Sequence, residues 1–442
     1  LKDGAVARAC PPAHTVAEPS ARAVALALLG AVLDRKLALD DALETQRDLR
    51  LLSARDRGFA RVLVATTLRR LGQLDAAIDA CLRHALRGDP TARHILRLGA
   101  VQLLFLETPP HAAVDGAVTL AEHGPARALK GLINAVLRRL AREGAAMIAA
   151  QDAARLALPS WLWDSWTASY GEAQTRASIA VLMQDPPLDL TVRDDAAGWA
   201  ARLDAVVLPT GTVRRRSGGD VEQLPGFGDG AWWVQDAAAA LPARLLGPVA
   251  GLRVADLCAA PGGKTAQLAA AGARVVALDR AAKRLDRLRA NLARLKLDAE
   301  VVAADAATWR AEAPVDAILL DAPCSATGAA RRHPDVLHLK QPDDVARLVA
   351  LQDRLLDNAV RQLKPGGTLV YCTCSLEAAE GPERIARLLA GGAPVRRKPV
   401  DSGEFPGLDG LITPDGDLRT LPCHGAEQGG MDGFYAARLT RQ

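Results

Sequence analysis

Two short segments carry thiols in a setting that suggests chemistry: Asp321-Ala-Pro-Cys-Ser-Ala-Thr-Gly328 and Tyr371-Cys-Thr-Cys-Ser375. A thiolate is a strong nucleophile once nearby positive charge or a helix start lowers its pKa, and Lys264, Arg331 and Arg332 are the cations that could supply such a field. One reaction that demands a thiol is substitution at carbon 5 of cytosine. That carbon is too weakly nucleophilic to attack a methyl sulfonium, but a thiolate added at carbon 6 turns the ring into an enamine whose carbon 5 can. A carboxylic acid that hydrogen-bonds or protonates ring nitrogen 3 would stabilise the adduct, and Asp321 stands at the right kind of position. A base must then take the carbon-5 proton before the thiol leaves, and the residues do not single one out. Buried cysteine is more commonly a small apolar filler, and that reading is kept for Cys81 and Cys258.

A ligand-binding turn lies upstream in Asp256-Leu-Cys-Ala-Ala-Pro-Gly-Gly-Lys-Thr265, whose small residues let backbone N–H groups approach a ligand at a helix start. The nucleotide triphosphate and dinucleotide readings weaken, because the position six before Lys264 is Cys258 rather than Gly, and no G-x-G-x-x-G occurs. Asp279 follows about twenty residues beyond the loop, at the end of the next apolar run, where a carboxylate can accept hydrogen bonds from two ribose hydroxyls. Asp305 and Asp321 close the two runs after it. One such Asp is often a helix cap, but three on successive strands are expected to converge on one crevice.

These residues need a sheet to hold them. From about residue 250 onward apolar runs alternate with helical or loop segments: Arg253-Val-Ala-Asp-Leu, Arg274-Val-Val-Ala-Leu-Asp, Ala299-Glu-Val-Val-Ala-Ala-Asp, Asp316-Ala-Ile-Leu-Leu-Asp and Gly367-Thr-Leu-Val-Tyr-Cys. The pattern predicts a parallel, doubly wound α/β sheet, with ligands outside the carboxyl ends of its strands. Ser20 to about Glu143 reads as an all-helical domain. Six of the seven Trp residues lie between 161 and 233, in a stretch broken by Pro159, Pro186, Pro187, Pro209 and Pro225, so a boundary is expected near 150. Trp163, Trp166 and Tyr170 fall on one helix face, which packing explains better than base stacking. The expected division is a flexible tail over 1–17, a helical domain over 18–150, a small linking α+β subdomain over 151–245 and the α/β domain over 246–442.

Composition narrows the class further. The 442 residues are 49% hydrophobic, enough for two or three buried cores, and the net charge is only +4. Charge is uneven, with 21 Lys+Arg against 15 Asp+Glu in residues 1–150 and 34 against 36 in the rest. Attraction to phosphate is therefore expected at the N-terminal end, although on charge alone a solvated helical surface is the simpler reading. Seven scattered cysteines, at 10, 81, 258, 324, 372, 374 and 423, fit reduced thiols, with neither a disulfide framework nor a zinc site. No apolar run is long enough to span a membrane and no secretory signal is visible, so a cytoplasmic protein without membrane or metal is expected.

Taken together the motifs resemble the RNA cytosine-C5 methyltransferases, and among them the RsmB/Sun type that modifies 16S ribosomal RNA. The resemblance implies S-adenosylmethionine as the methyl donor. Its methionine part would lie in Cys258, Ala259, Ala260, Pro261, Gly262, Gly263 and Lys264, and its ribose and adenine on Asp279, Arg284 and Asp305. Asp321 would face both cofactor and base. It further implies that Cys374 is the nucleophile and that Cys324 assists breakdown of the covalent adduct. Arg331-Arg-His-Pro-Asp335 and Gly430-Met-Asp-Gly-Phe-Tyr435 also look like family segments. Arg55-Asp-Arg-Gly-Phe, Leu96-Arg-Leu-Gly-Ala-Val-Gln-Leu and Gly131-Leu-Ile-Asn-Ala-Val-Leu-Arg-Arg are similar to the NusB-type RNA-binding fold. The implied whole is a multidomain chain, an all-α NusB-like N-terminal domain plus an α/β Rossmann-like class I methyltransferase domain. The sequence departs from the family at Cys372, where Ala is more usual. A two-residue spacing turns Cys372 and Cys374 to one face of a strand, and Cys374, nearer the carboxyl end, is taken as the attacking thiol.

The expected substrate is free small-subunit rRNA or an early assembly intermediate, met by a monomer, with the target cytosine unstacked from its helix. Three other readings are weighed against this one: a non-catalytic RNA-binding factor of NusB type, a small-molecule or adenine methyltransferase with no need of a thiol, and a transfer-RNA cytosine enzyme with the same catalytic domain. Against the last, only the NusB-like portion argues.

Overall fold

The structure, a computed structural model, describes residues 20–86, 88–216, 219–405 and 407–442. The expected tail over 1–17 lies outside these. The chain divides into two compact units, one of residues 1–67 and 74–149, the other of residues 68–73 and 150–442.

The first unit is helical throughout its described residues. Its main helices include Ala21–Leu33, Thr91–Leu104, Pro110–Glu122 and Lys130–Ala149. Each buries an apolar stripe spaced three and four residues apart, such as Val24, Leu28, Leu29 and Val32 on the first and Ile133, Val136, Leu137 and Leu140 on the last. Gly99 lets two helices approach closely: a Cβ there would lie 2.5 Å from Leu137 Cδ1, so a larger residue would force the leucine to shift. Arg97 grips Asp75 through Nε and Nη2 at 2.8 and 2.7 Å, tying two helices together at their polar edge.

The second unit opens with helices Ser160–Tyr170 and Glu172–Leu182, then a small antiparallel sheet of β1 (Leu188–Val192), β2 (Val206–Val207), β3 (Val213–Arg215) and β4 (Trp232–Val234), in the order β2-β3-β1-β4. Trp232, Leu190 and Val213 fill its core. The larger sheet holds β5 (Arg253–Leu257), β6 (Arg274–Asp279), β7 (Glu300–Ala303), β8 (Val315–Asp321), β9 (Leu363–Thr373), β10 (Val395–Arg397), β11 (Leu418–Thr420) and β12 (Phe434–Arg441). Its order is β10-β12-β9-β8-β5-β6-β7, with β11 paired to β12.

Strands β5 to β9 are parallel, as the alternation of runs and helices predicts. The sheet as a whole is mixed, because β12 enters antiparallel to β9 and carries β10 and β11 antiparallel to itself. No helix crossover precedes β12, only a loop, and a strand reached by a loop is free to pair in the opposite sense. Side chains alternate across the sheet. Val254, Ala277, Leu319 and Val370 join one core, Ala255, Leu278, Ile318 and Tyr371 the other. Helix Ala282–Leu295 covers the first face with Leu285, Leu288 and Leu292, and helix Pro342–Gln362 covers the second with Leu355, Leu356 and Ala359. Strand order reverses between β5 and β8, so the switch point opens between the ends that carry Asp256 and Asp321.

Candidate active site

The turn after β5 is built to leave a hollow. Cys258 takes a left-handed conformation (φ 65°), and Gly262 another (φ 103°) that starts helix Gly263–Ala270. Ala259 N–H donates to Leu278 O at 2.7 Å and Asn291 Nδ2 to Pro261 O at 3.1 Å, which pins the turn to β6 and to helix Ala282–Leu295. Above it opens a cavity of about 510 Å³ lined by Ala259, Ala260, Pro261, Gly262, Gly263, Lys264, Asp256, Asp321 and Cys374. Asp256 lies buried at its floor. Thr265 Oγ1 donates to its Oδ2 at 2.6 Å, while Oδ1 has no hydrogen-bond partner among the described residues. Burial pushes this carboxyl up to about 7, against the opposing effect of the Thr265 hydrogen bond.

At the end of β8, Asp321 Oδ2 receives Lys264 Nζ at 2.7 Å, and Oδ1 lies 3.5 Å from Cys372 Sγ. Burial works most strongly against the Lys264 charge, but Asp321 together with the Cys372 and Cys374 sulfurs holds the ammonium above its ordinary pKa, and the Phe434 ring lies 5.0 Å from Nζ. Cys324 Sγ and Cys374 Sγ approach to 3.5 Å. The Cys324 thiol is raised well above the ordinary range, first by its hydrogen bond to Cys374 and then by burial, so it holds its proton. Gly328 N–H donates to Cys374 O at 3.0 Å, and a Cβ at Gly328 would lie 2.0 Å from Gly433 O, so the loop after Cys324 can lie this close only as glycine.

Cys372 shares the sheet face of Cys374, as the spacing implies, but its exposure is 0% and it lies within the core beneath Asp321. Cys374 falls just past the last residue of β9, is only partly buried and lines the cavity. Depth along the strand thus separates two thiols that the sequence left on one face.

The three strand-end carboxylates spread along the carboxyl edge of the sheet, with Arg284 between them. Asp279 and Asp305 line a separate, smaller cavity of about 100 Å³ with Cys258 and Arg284, whereas Asp321 and Asp256 belong to the larger one. The physical reason is sheet order: β5 and β6 stand between β8 and β7, and each neighbour adds roughly 4.8 Å. Arg284 lines both cavities, with Nη1 3.3 Å from Asp279 Oδ2 and a short hydrogen bond to Ala260 O. Asp305 stands two residues past β7 and its Oδ1 accepts Ala307 N–H at 2.9 Å, so it also caps a turn. Burial pushes the Cys258 thiol up, with Asp279 adding to the effect, which suits a filler rather than a nucleophile.

Arg331 does not supply the field expected of it. It is buried in ion pairs with Asp236 at 2.5 Å and Asp432 at 3.5 Å, and donates to Gly429 O at 2.8 Å. It joins the small sheet's exit to the loop between β11 and β12. Arg332 pairs with Asp432 yet lines the cavity with Cys374, so of the two it is the one placed beside the thiol. Two glutamates went unread in the sequence. Glu377 accepts Trp166 Nε1 at 2.9 Å and Ser165 Oγ at 2.5 Å, and Glu380 is buried behind both thiol-bearing loops. The available signal was the repeated Cys-Ser dipeptide, whose hydroxyls need an acceptor once buried.

An uncharged cradle of small residues, a floor carboxyl with an unpartnered oxygen and a second carboxylate hollow two strands away fit the amino-acid and ribose ends of S-adenosylmethionine. With the Cys374 thiol facing the same cavity and the Cys324 thiol beside it, they define the class of α/β methyltransferases that work through cysteine. The family description 16S rRNA methyltransferase RsmB/F matches residues 243–440, and the NusB family matches residues 19–142. The chain is 40% identical to the ribosomal RNA small subunit methyltransferase B of Pseudomonas putida, over 95% of this chain and 98% of that one. The protein of the same name from Vibrio cholerae is 37% identical, over 95% and 97%. A methyltransferase homologue from Pyrococcus horikoshii superposes with a TM-score of 0.54 at 27% identity, covering 65% of this chain and 97% of that structure. The chain belongs to the RsmB/F family of 16S rRNA methyltransferases, and it is an S-adenosylmethionine-dependent enzyme with a NusB domain.

Proposed function

We propose that this enzyme methylates carbon 5 of one cytosine in 16S rRNA, with Cys374 as the nucleophile at carbon 6. The observation that carries the reading is a single reachable thiol, Cys374, at a cavity whose floor is the Ala259–Lys264 turn, with Asp321 on the same rim. Cys374 Sγ adds to carbon 6, and ring electrons move toward nitrogen 3. As the electrons reach nitrogen 3 a proton must arrive there. Asp321 in its acid form delivers it from the oxygen that Lys264 does not hold and takes it back when the adduct breaks down, and the Lys264 ammonium steadies the carboxylate left in between. Carbon 5 is then an enamine terminus. S-adenosylmethionine, when bound, supplies an electrophilic methyl group on its sulfonium sulfur. Once the carbon-5 proton is removed, the carbon–sulfur bond breaks and Cys374 is regenerated. Cys324 keeps its proton and lies within hydrogen-bond reach of the departing sulfur, which suits it to assist release rather than attack.

The cavity admits a ring only if the base leaves its stack, which naked or partly assembled small-subunit RNA allows, and on this reading the enzyme acts as a monomer in the cytoplasm. The NusB domain supplies salt-sensitive affinity for the phosphate backbone. RNA bearing 5-fluorocytosine at the target tests the mechanism, because carbon 5 then has no proton to lose. A stable conjugate mapping to Cys374, absent in Cys374→Ser, is expected. Conjugation to another residue, or none while the donor is bound, sinks the reading.

A further inference from the structure

Both cysteines of the site are followed by serine, and both serines turn away from the cavity to the same buried group. Glu380 closes the short turn Ala378–Glu380 and its exposure is 0%. Its carboxylate accepts Ser325 N–H at 2.9 and 3.2 Å, Ser325 Oγ at 2.5 Å and Ser375 Oγ at 2.6 Å. Gln352 Nε2 donates to it at 3.1 Å and to Pro323 O at 2.9 Å, so even this donor belongs to the loop around Cys324. The two serine hydroxyls are 3.0 Å apart. Glu380 is itself anchored, since Tyr371 Oη and Thr373 Oγ1 on β9 donate to its carbonyl at 2.7 and 3.3 Å.

We propose that Glu380 is a positioning residue that sets the distance between the Cys324 and Cys374 sulfurs; the proposal rests on reading that pair as the reacting thiols. Serine has a short side chain, so a hydroxyl held at 2.5 to 2.6 Å leaves the adjoining cysteine little freedom. A carboxylate accepts at both oxygens and so serves the Ser325 N–H, the Gln352 amide and both hydroxyls at once, whereas an amide at this place would force both serine hydroxyls to reverse from donor to acceptor. None of these hydrogen-bond partners is a cation, and burying a carboxylate on neutral donors costs more folding free energy than an apolar group of the same shape. What the arrangement provides is one fixed geometry for two loops, which a thiol pair that must exchange a proton requires.

The test compares the full-length enzyme with Glu380→Gln, Ser325→Ala and Ser375→Ala. Dibromobimane, which fluoresces once it joins two thiols, reports the Cys324 to Cys374 spacing without any turnover, with the joined peptides located by mass spectrometry. In parallel, the single-turnover rate of adduct formation is measured on the 5-fluorocytosine RNA, together with KM for RNA and for the methyl donor. In Glu380→Gln, cross-linking should drop and the adduct rate should fall on the order of 10- to 100-fold with both KM values within twofold of wild type. The serine variants should show smaller losses in the same two readouts. Wild-type cross-linking and adduct rate in a folded Glu380→Gln overturn the proposal, as does a change confined to KM. Should that variant fail to fold, the same unchanged readouts in Ser325→Ala and Ser375→Ala overturn it. If the wild-type enzyme forms no adduct, the Cys374 reading fails, while the cross-link still decides whether Glu380 spaces the thiols.

Discussion

Two thiols side by side pose a division of labour, and here geometry assigns it. Cys374 faces the cavity, while Cys324, partly buried and hydrogen-bonded to it, keeps its proton. Loss of the second thiol should then spare addition and impair release. Cys324→Ser is expected to accumulate a covalent complex with ordinary, unfluorinated RNA, visible as a band of reduced mobility on a denaturing gel, with multiple-turnover rates down on the order of 100-fold or more. Asp256 offers a pH signature. Its carboxyl is neutral in the fold up to about 7, whereas the same group in the unfolded chain ionises near its ordinary value of 3.8. Between those values the native state holds a proton that the unfolded state has released, so this contribution to stability is full below about 4 and is lost as pH rises through 7. Asp256→Asn cannot titrate. Its unfolding midpoint in denaturant should decline less between pH 5 and pH 8 than that of the wild type, and a parallel decline in both would disprove the assignment.

At the level of elements, the loop after β9 is held from behind by a helix whose aromatic residues the sequence places on one face. Trp166 Nε1 donates to Glu377 and Tyr170 Oη donates to Leu376 O at 2.5 Å, so helix Ser160–Tyr170 braces the segment that follows Cys374. Trp163 remains at the edge, with the Arg155 and Arg176 guanidinium groups 5.3 and 5.0 Å from its ring. Removing the indole donor leaves Glu377 Oε1 with only the distant Thr327 hydroxyl at 3.5 Å. Trp166→Phe should cost about 1–3 kcal/mol in chemical denaturation, with methyl-donor affinity unchanged because the cofactor turn lies on other strands. The packing face of this helix was legible from its spacing. Its partner was not, since Trp166 and Glu377 lie 211 residues apart and only the completed fold brings them together.

For the molecule as a whole, the uneven charge becomes a binding argument. Arg50, Arg55, Arg61, Arg138 and Arg142 of the helical unit are exposed. Changing them to Gln should weaken RNA binding at low salt and flatten the dependence of log Kd on log salt, by about one for each phosphate left without its cation. Affinity for the methyl donor, measured by calorimetry, should stay the same. An unaltered salt slope would give this unit a role other than phosphate binding. Among the described residues no helix is long and apolar enough to cross a membrane.

What the sequence determined by itself was local: a helical N-terminal region, alternating strands and helices after residue 250, a small-residue turn at one strand end and thiols at two others. These are legible because helix and strand periods, glycine turns and strand-end chemistry are set over a few residues, and because parallel α/β topology gathers strand ends whatever lies between them. Tertiary structure alone decided that β12 runs antiparallel, that Arg284 links the hollow of Asp279 and Asp305 to the cavity of Asp321, that Arg331 is consumed by Asp236 and Asp432, and that Cys372 lies too deep to react. It also decided that Glu380 meets Ser325, 55 residues away. Strand order, burial depth and pairing across such separations depend on how the whole chain packs, and no short window of residues contains them.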